Sequence, residues 1–260
     1  MIIFLQATVE GLSLAAIYSL VAIGFVLIYK AMEVLSFAQP ALAVVGAGII
    51  SSLAVDRGIP FWLALFLGVI LTGILGLLIE RTFLRPMVGE PVFSVAVLTI
   101  GIDILLRTVL DSWIGINPKY MGDPFPSYGN FGAIKLGGVN IKYLELAALI
   151  TAILLIILLT IFFRKSKYGI AMRATSYDQE AAMAQGINVG RIFGLVWLIA
   201  GILAAFAGFF ITGGFNTLSQ FSFISALRAL PAVVIGGLDS IPGAVVGSII
   251  IGLTQGYVAY

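Results

Sequence analysis

The chain contains no cysteine and no histidine among its 260 residues. The first absence excludes disulfides and thiolate metal sites, and the second removes the commonest metal ligand and general base. Charged residues make up only 10% of the chain, against about a quarter in an ordinary soluble domain. The net charge of +2 argues for no nucleic-acid partner. With no convincing Ser/Lys pair either, we predict that the chain is not an enzyme.

Long apolar runs dominate the sequence. Hydrophobic residues account for 61% of it, and the mean hydropathy is +1.15. Because a membrane-crossing helix needs about 20 mostly apolar residues, we predict an all-α, polytopic integral membrane protein. About eight transmembrane helices, one of them short or broken, would form a single domain over residues 1–260. The candidate spans are Ala7–Tyr29, Phe37–Val55, Phe61–Ile79, Val92–Trp113, Tyr143–Phe163, Ile192–Thr212, Phe223–Gly236 and Ile241–Ala259.

Two of these spans are unusual. The first, Ala7–Tyr29, includes Glu10 and follows no basic segment, so we predict a retained helix and not a signal peptide. The seventh, Phe223–Gly236, is short and carries Arg228 and Pro231. Irregular backbone at membrane depth is tolerated where it is buried or lines a cavity, and we therefore expect a broken or half-length helix there.

A polar island at residues 164–191 separates the fifth and sixth spans. It holds five of the fourteen basic residues and the only Glu-Ala-Ala-x-x-x-Gly string, at residues 180–186. We predict a short helix between Ser176 and Gly186. Ser176 would cap its start, with Gln179 three residues later as in a capping box, and Gly186 would end it. Two hypotheses stay open. The helix either receives force from a soluble partner or lies without one as an amphipathic helix at the lipid headgroups.

Basic loop residues predict the orientation of the chain. With the island in the cytoplasm, alternation of the spans places eight basic loop residues on that side and four on the other. The island is therefore predicted to be cytoplasmic, with an external amino terminus. The longest external connection, residues 114–142, is predicted to form a hairpin around Val139 and Asn140, after two glycines. It either caps the helix ends or docks a soluble partner.

Several polar residues fall inside the spans. Asp103 and Arg107 are four residues apart, so they share one helix face and can pair there. The pair is either a structural salt bridge or a contact along a substrate path. Arg228 either packs near the helix break or attracts a substrate carboxylate. Tyr18 and Gln39 offer polar groups either to a pore or to neighbouring helices.

Four stretches together carry a family resemblance. Residues 168–182 combine YGIAMRA with DQEAA, and residues 11–29 contain Gly, AIYSL, Gly and Ile-Tyr in that order. LSFAQ occupies residues 35–39, and GGLDSIPGA occupies residues 236–244. In this combination the chain resembles the branched-chain amino-acid permease family of ATP-binding-cassette importers.

The resemblance implies a multi-pass subunit of the prokaryotic plasma (inner) membrane. It would form half of the translocation pathway for branched-chain amino acids, beside a second, similar permease subunit. Two cytoplasmic ATPases would drive the pair, and an extracytoplasmic binding protein would deliver the substrate. ATP and Mg²⁺ would bind in the ATPases, because this chain has no Gly-x-x-x-x-Gly-Lys-Ser/Thr loop and is expected to bind no cofactor itself.

The resemblance also assigns roles within the chain. Glu180, Ala181, Ala182 and Gly186 match the motif through which such permeases contact their ATPases. Separately from the resemblance, the polar residues inside the spans give the candidate translocation path, which comprises Asp103, Arg107, Arg228, Tyr18 and Gln39.

Two departures from the family pattern are visible. The family often has His-Gly where this chain has Gln39 and Pro40. Family members also usually continue with another hydrophobic helix and a basic tail, so we expect either a shortened member or further residues beyond Tyr260.

Other functions remain as alternatives. A permease for urea or short amides belongs to the same importer class. An ion-coupled secondary carrier would use Asp103 as its coupling carboxylate.

Overall fold

The computed structural model describes residues 2–115, 117–122, 132–136, 138–215, 217–219 and 221–259. Much of the predicted external loop, including residues 123–131, lies outside the described residues. Over the described part the chain is predominantly helical, which confirms the predicted all-α class. The helices are α1 (Ile2–Met32), α2 (Gln39–Ser51), α3 (Phe61–Ile79), α4 (Val92–Ile114), α5 (Tyr143–Lys165), α6 (Lys167–Tyr177), α7 (Gln179–Ala184), α8 (Val189–Phe215), α9 (Phe221–Leu227), α10 (Leu230–Gly236) and α11 (Ile241–Val258).

Seven helices in the described residues are long and apolar enough to cross a membrane. They correspond to seven of the eight predicted spans, with ends that differ by a few residues. Two are extended by π-helical turns, Ser52–Asp56 after α2 and Glu80–Leu84 after α3. A 3₁₀ turn at Arg85–Met87 then completes the second extension.

The remaining span is broken, as predicted. Helices α9 and α10 are each seven residues long and are separated at Arg228 and Ala229. Pro231 occupies the first turn of α10. Because N–H groups in the first turn have no partner within the helix, a proline there costs no helical hydrogen bond. The break therefore places Arg228 between two half-helices, among the transmembrane helices.

Four short strands connect the helix ends. A hairpin forms here as predicted, with β2 (Ala133–Leu136) antiparallel to β3 (Val139–Lys142), but the predicted position of its turn is wrong, because Val139 and Asn140 begin β3 and pair with Leu136 and Lys135. A second antiparallel pair, β1 (Lys119–Tyr120) with β4 (Thr217–Leu218), was not predicted. Its strands are nearly a hundred residues apart in sequence, and neither two-residue segment has a periodicity that sequence patterning can detect.

The described parts of the external loop pack on the helix ends. The Gln6 side chain exchanges two hydrogen bonds with the Asn140 backbone, with N–O distances of 3.0 and 2.8 Å. Ser51 Oγ donates to the Tyr120 carbonyl at 2.9 Å, and Lys119 pairs with Asp56 at 2.5 Å. These contacts fit the hypothesis of a cap over the bundle.

Helix α1 is central to the bundle and packs on α11 through glycines. A Cβ added at Gly252 would lie 2.5 Å from the Ala15 nitrogen, and one at Gly256 would lie 2.8 Å from Gly11 Cα. On the other side of α11, Gly247 lies against the Ala232 backbone of α10. The Gly-x-x-x-Gly spacing therefore brings three helices into backbone contact, as expected for membrane helices without a hydrophobic driving force between them.

The two ends of α1 define the two ends of the bundle. Its first residues contact the hairpin, whereas Ala31 and Met32 lie beside the island. We call these the hairpin end and the island end. Near the island end, the indole N–H of fully buried Trp197 in α8 donates to the Met32 sulfur at 3.3 Å.

Candidate functional site

The polar island folds into two consecutive helices, α6 and α7. Ser166 caps α6, since its hydroxyl accepts a hydrogen bond from the Gly169 N–H at 2.9 Å. Asp178 caps α7 in the same way, with its Oδ1 2.9 Å from the Ala181 nitrogen. Each cap satisfies a backbone donor that has no partner within its helix. The island is therefore an ordered element between α5 and α8.

The predicted single helix capped by Ser176 is wrong. The backbone at Asp178 is extended (φ −160°, ψ 110°), which separates α6 from α7. The Ser176 hydroxyl donates instead to the Arg173 carbonyl at 3.1 Å. The Gln179 amide is directed to the Ala31 carbonyl of α1, 3.5 Å away, and does not complete a capping box. Asp is as good a cap as Ser, and sequence alone did not distinguish the two positions.

The Glu-Ala-Ala-x-x-x-Gly residues lie on two sides of α7. Ala182 is only 4% exposed, so this methyl group packs against the chain itself. Glu180, Ala181 and Gly186 are exposed at the island end. Gly186 ends the helix with φ at +80°, as its position in the sequence predicted. Helix α7 is therefore attached to the bundle on one side and open on the other.

An open groove of about 550 Å³ lies beside α7. Met183 and Gly186 line one wall, Arg85 and Val88 line the opposite wall, and Phe193 of α8 contributes apolar surface. Met183 is 54% exposed and Val88 50% exposed, which leaves apolar surface open at the island end. Exposed apolar surface with a polar rim is typical of protein interaction sites.

A buried ion pair underlies this groove. Arg85 pairs with Glu80, whose side chain is 0% exposed, and also donates to the Gly190 carbonyl at the start of α8. Arg85 is one of the eight basic loop residues counted on the island side, and the role of Glu80 was not predicted. An acid at the end of an apolar run, five residues before an arginine, was the available signal.

Asp103 and Arg107 pair on one face of α4, as predicted, with 2.5 Å between Oδ2 and Nη2. The guanidinium carbon also lies 4.3 Å from the centroid of the Phe223 ring in α9. Within the described residues, Asp103 Oδ1 and Arg107 Nε have no hydrogen-bond partner. The pair therefore joins α4 to the broken span and leaves one carboxylate oxygen unsatisfied.

Gln39 lies between helices and away from any cavity described above. It is fully buried, and its Nε2 donates to the Ala200 carbonyl of α8 at 3.1 Å. A Cβ at Gly24 of α1 would collide with this amide. The side chain therefore links α1, α2 and α8.

A polar cluster combines Tyr18 and Arg228 in a cleft toward the hairpin end. The Tyr18 hydroxyl donates to Gln255 Oε1 of α11 at 2.6 Å, and the Arg228 charge lies near it in the same cleft. Of the five predicted path residues, the structure joins these two in one place. Asp103 with Arg107 and Gln39 occupy two other places. Gln255 was missed because an isolated glutamine in an apolar run carries no pattern.

The comparisons with known proteins cover nearly the whole chain. A family model described as "Branched-chain amino acid transport system / permease component" matches residues 7–260. The high-affinity branched-chain amino acid transport system permease protein BraD of Pseudomonas aeruginosa is 28% identical over 98% of this chain and 86% of its own length. LivH, the corresponding permease protein of Escherichia coli, is 27% identical over 97% of this chain and 85% of its own length.

Some other matches are shorter. The fructose import permease protein FruF of Bifidobacterium longum is 33% identical over 42% of this chain and 33% of its own length. No solved structure matches the chain. The family match over residues 7–260, together with seven membrane-crossing helices in the described residues, agrees with the resemblance in the sequence. This multi-pass membrane protein belongs to the family of permease components of branched-chain amino acid transport systems.

Proposed function

We propose that the chain is a transmembrane permease subunit that imports branched-chain amino acids. The observation that carries the proposal is the family match over residues 7–260, supported by relatives named for this transport over most of their own length. The chain forms half of the translocation pathway and pairs with a second permease subunit of the same or a similar sequence. An extracytoplasmic binding protein delivers the amino acid to the pair.

The energy comes from partner subunits at the island end. Two ATPases bind there and hold ATP with Mg²⁺, while this chain catalyses no reaction and binds no cofactor. Support comes from exposed Glu180, Ala181 and Gly186 on α7 and from the apolar groove beside them. Ala182 acts from the buried side, where its small side chain lets α7 lie close to the bundle.

The membrane is the prokaryotic plasma (inner) membrane, with the island in the cytoplasm. The distribution of basic loop residues, eight on the island side and four on the other, supports this orientation. Closure of the ATPases on ATP moves α7 and, through α8, switches the pathway between outward and inward access.

The proposed path residues have different roles. Tyr18 and Arg228 line the pathway, because they meet in a cleft that opens between helices. Asp103 and Arg107 fix α4 against the broken span next to the pathway. Gln39 holds α1, α2 and α8 together around it.

Uptake by the complete transporter tests the function. Cells that lack their own leucine transport and express the full complex are given labelled leucine, isoleucine, valine or urea. We expect uptake of the three amino acids, persisting after collapse of the proton gradient and stopping on ATP depletion. Uptake of urea alone would favour a permease for short amides. Loss of uptake with the proton gradient would favour an ion-coupled carrier.

A further inference from the structure

The cleft that contains Tyr18 and Arg228 has the shape of a small-molecule site. It encloses about 280 Å³ and is bounded by α1, α5, α8, α9 and α11. One wall is a stripe along α1 at Glu10, Leu14, Ile17 and Tyr18, and Phe210 of α8 faces it across the cavity. Small-molecule sites are typically concave and mostly apolar, with a few polar groups that fix the ligand's orientation.

The polar groups are unequally distributed along this cleft. Glu10 is eight residues before Tyr18, which is about 12 Å along a helix axis. Since the start of α1 contacts the hairpin, Glu10 lies at the hairpin end of the cleft. Tyr18, Gln255 and Arg228 lie further from the hairpin, where the Tyr18 hydroxyl donates to Gln255 and the Arg228 charge is close to Tyr18.

Arg228 is a cation of this cleft without an acidic partner among the described residues. The other cation of the cleft, Lys142, pairs with Glu145 at 3.4 Å. In the ranges that the structure describes, by contrast, no carboxylate oxygen lies within 4.0 Å of the Arg228 guanidinium. An arginine among membrane helices usually pairs with an acid or faces a polar cavity, because an isolated charge there is costly. A carboxylate that enters the cleft would supply the missing partner, and guanidinium groups bind carboxylates through two parallel hydrogen bonds.

We propose that this cleft is the site where the transported amino acid binds to the permease, with its carboxylate on Arg228. The inference rests on the proposed function and specifies the ligand as an α-amino acid with an apolar side chain. Tyr18 lies beside the guanidinium, and Leu14, Ile17 and Phe210 contact the side chain. A cavity of this size accommodates a leucine-sized molecule.

Glu10 adds discrimination at the hairpin end of the cleft. Its carboxylate repels a simple organic anion and attracts the ammonium group of a zwitterion. The cleft therefore favours leucine over 4-methylpentanoate, which has the same carbon skeleton and carboxylate without the amine.

The absence of cysteine from the chain allows a direct test. Ser225 lines the cleft on α9, three residues before Arg228. A Ser225→Cys variant is expressed within the complete transporter in intact cells and exposed to membrane-impermeant anionic or cationic methanethiosulfonate reagents. Labelling is then measured on the purified chain. Ser112→Cys, at the exposed end of α4 outside the cleft, is the matched control.

We expect leucine to slow the labelling of Ser225→Cys several-fold, with no effect from urea or 4-methylpentanoate and none on Ser112→Cys. Arg228→Gln in the same background should abolish the protection and slow the anionic reagent more than the cationic one. Arg228→Lys, which keeps the charge, should retain part of the protection. Glu10→Gln should let 4-methylpentanoate protect as well.

The possible outcomes distinguish a failure of the proposed binding site from a failure of the proposed transport function. If the complex imports leucine with ATP but leucine gives no protection at position 225, the cleft is not the binding site and the function stands. If leucine protects the cleft but the complex never imports it, the site stands and the transport function fails. Unchanged protection in Arg228→Gln, with control labelling intact, would overturn the role of Arg228.

Discussion

Arg85 donates two hydrogen bonds to the buried carboxylate of Glu80, with Nε 3.2 Å from Oε1 and Nη2 3.0 Å from Oε2. The same Nη2 donates to the Gly190 carbonyl at 2.8 Å. One guanidinium thus joins the end of α3 to the start of α8, at the end of the island. A displacement of α7 and α8 by a partner would therefore be transmitted to α3 as well.

Arg85→Ala should destabilise the folded chain by about 3 kcal/mol, because it leaves Glu80 buried and uncompensated. This value is at the low end of the stability loss that follows removal of one partner from a buried ion pair, because the Arg85 side chain is 40% exposed. Thermal unfolding in detergent, followed by size-exclusion chromatography, measures the effect. Arg81→Ala removes an exposed charge from the same segment and should change the stability by less than about 0.5 kcal/mol. Equal melting temperatures for the two variants would contradict a structural role for this pair.

Charge reversal at Glu180 should uncouple the ATPases from transport. A lysine on exposed α7 would place an unmatched charge against the partner surface, at a cost of several kcal/mol. We expect leucine uptake to be lost and less ATPase to co-purify. Glu90→Lys makes the same reversal on the exposed α3–α4 connection and should leave both unchanged. Normal uptake and assembly in Glu180→Lys would remove this residue from the interface.

Gly186→Ala tests the backbone at the end of α7 alone. An alanine Cβ would meet no atom within 4 Å, so its effect comes from the positive φ of +80°. The strain is about 1–2 kcal/mol, and asparagine tolerates this conformation better. We expect ATPase activity per transported leucine to rise in the alanine variant and to change less in Gly186→Asn. Identical ratios in the two variants would show that the turn does not matter for coupling.

Gly252→Ala should disrupt the contact between α1 and α11. Its methyl group would lie 2.5 Å from the Ala15 nitrogen, which is backbone and cannot move aside as a flexible side chain could. We expect a sharp fall in the yield of folded protein. Gly101→Ala in α4 provides the comparison, because nothing lies within 4 Å of its added Cβ. A normal yield for Gly252→Ala would mean that the two helices separate at little cost.

Asp103→Asn distinguishes a structural ion pair from a coupling carboxylate. The change leaves Arg107 with a neutral partner, and we expect a loss of about 1–3 kcal/mol in stability. If ATP drives transport, leucine uptake per folded molecule should persist. Uptake is measured and divided by the amount of folded chain in the membrane. Abolished uptake in a stable, fully assembled variant would point to proton or sodium coupling through Asp103.

Sequence alone predicted the spans well, because a run of about 20 apolar residues has few stable alternatives in a membrane. The break around Arg228 and Pro231 and the glycine packing of α11 were also predictable from residue type and spacing. The pairing of β1 with β4 was not predictable from sequence. The packing of the helices decides which of the short segments at their ends become neighbours. Within the island, Gly186 was found from its position, but Asp178 was missed as a cap because Ser176 fits the same pattern.

The candidate site was predicted only in part. Helical spacing was enough to pair Asp103 with Arg107, because both are on α4. The cluster of Tyr18, Arg228 and Gln255 brings α1 together with the broken span and α11, from opposite ends of the sequence. Such a cluster leaves no periodic trace in one sequence. The acid five residues before Arg85 indicated a charge pair, but not that Glu80 is buried, because its burial depends on α8 packing beside it.

The contact between Trp197 and Met32 gives the chain an optical reporter of its own. Trp197 is fully buried near the island end, where its indole touches the Met32 sulfur, whereas Trp62 and Trp113 are 58% and 51% exposed. Among the three tryptophans of the chain, Trp197 is the one enclosed by the chain itself, so its emission depends on the packing of α1 against α8. With the other two replaced by phenylalanine, fluorescence from this chain would follow movement between α1 and α8 without an attached dye.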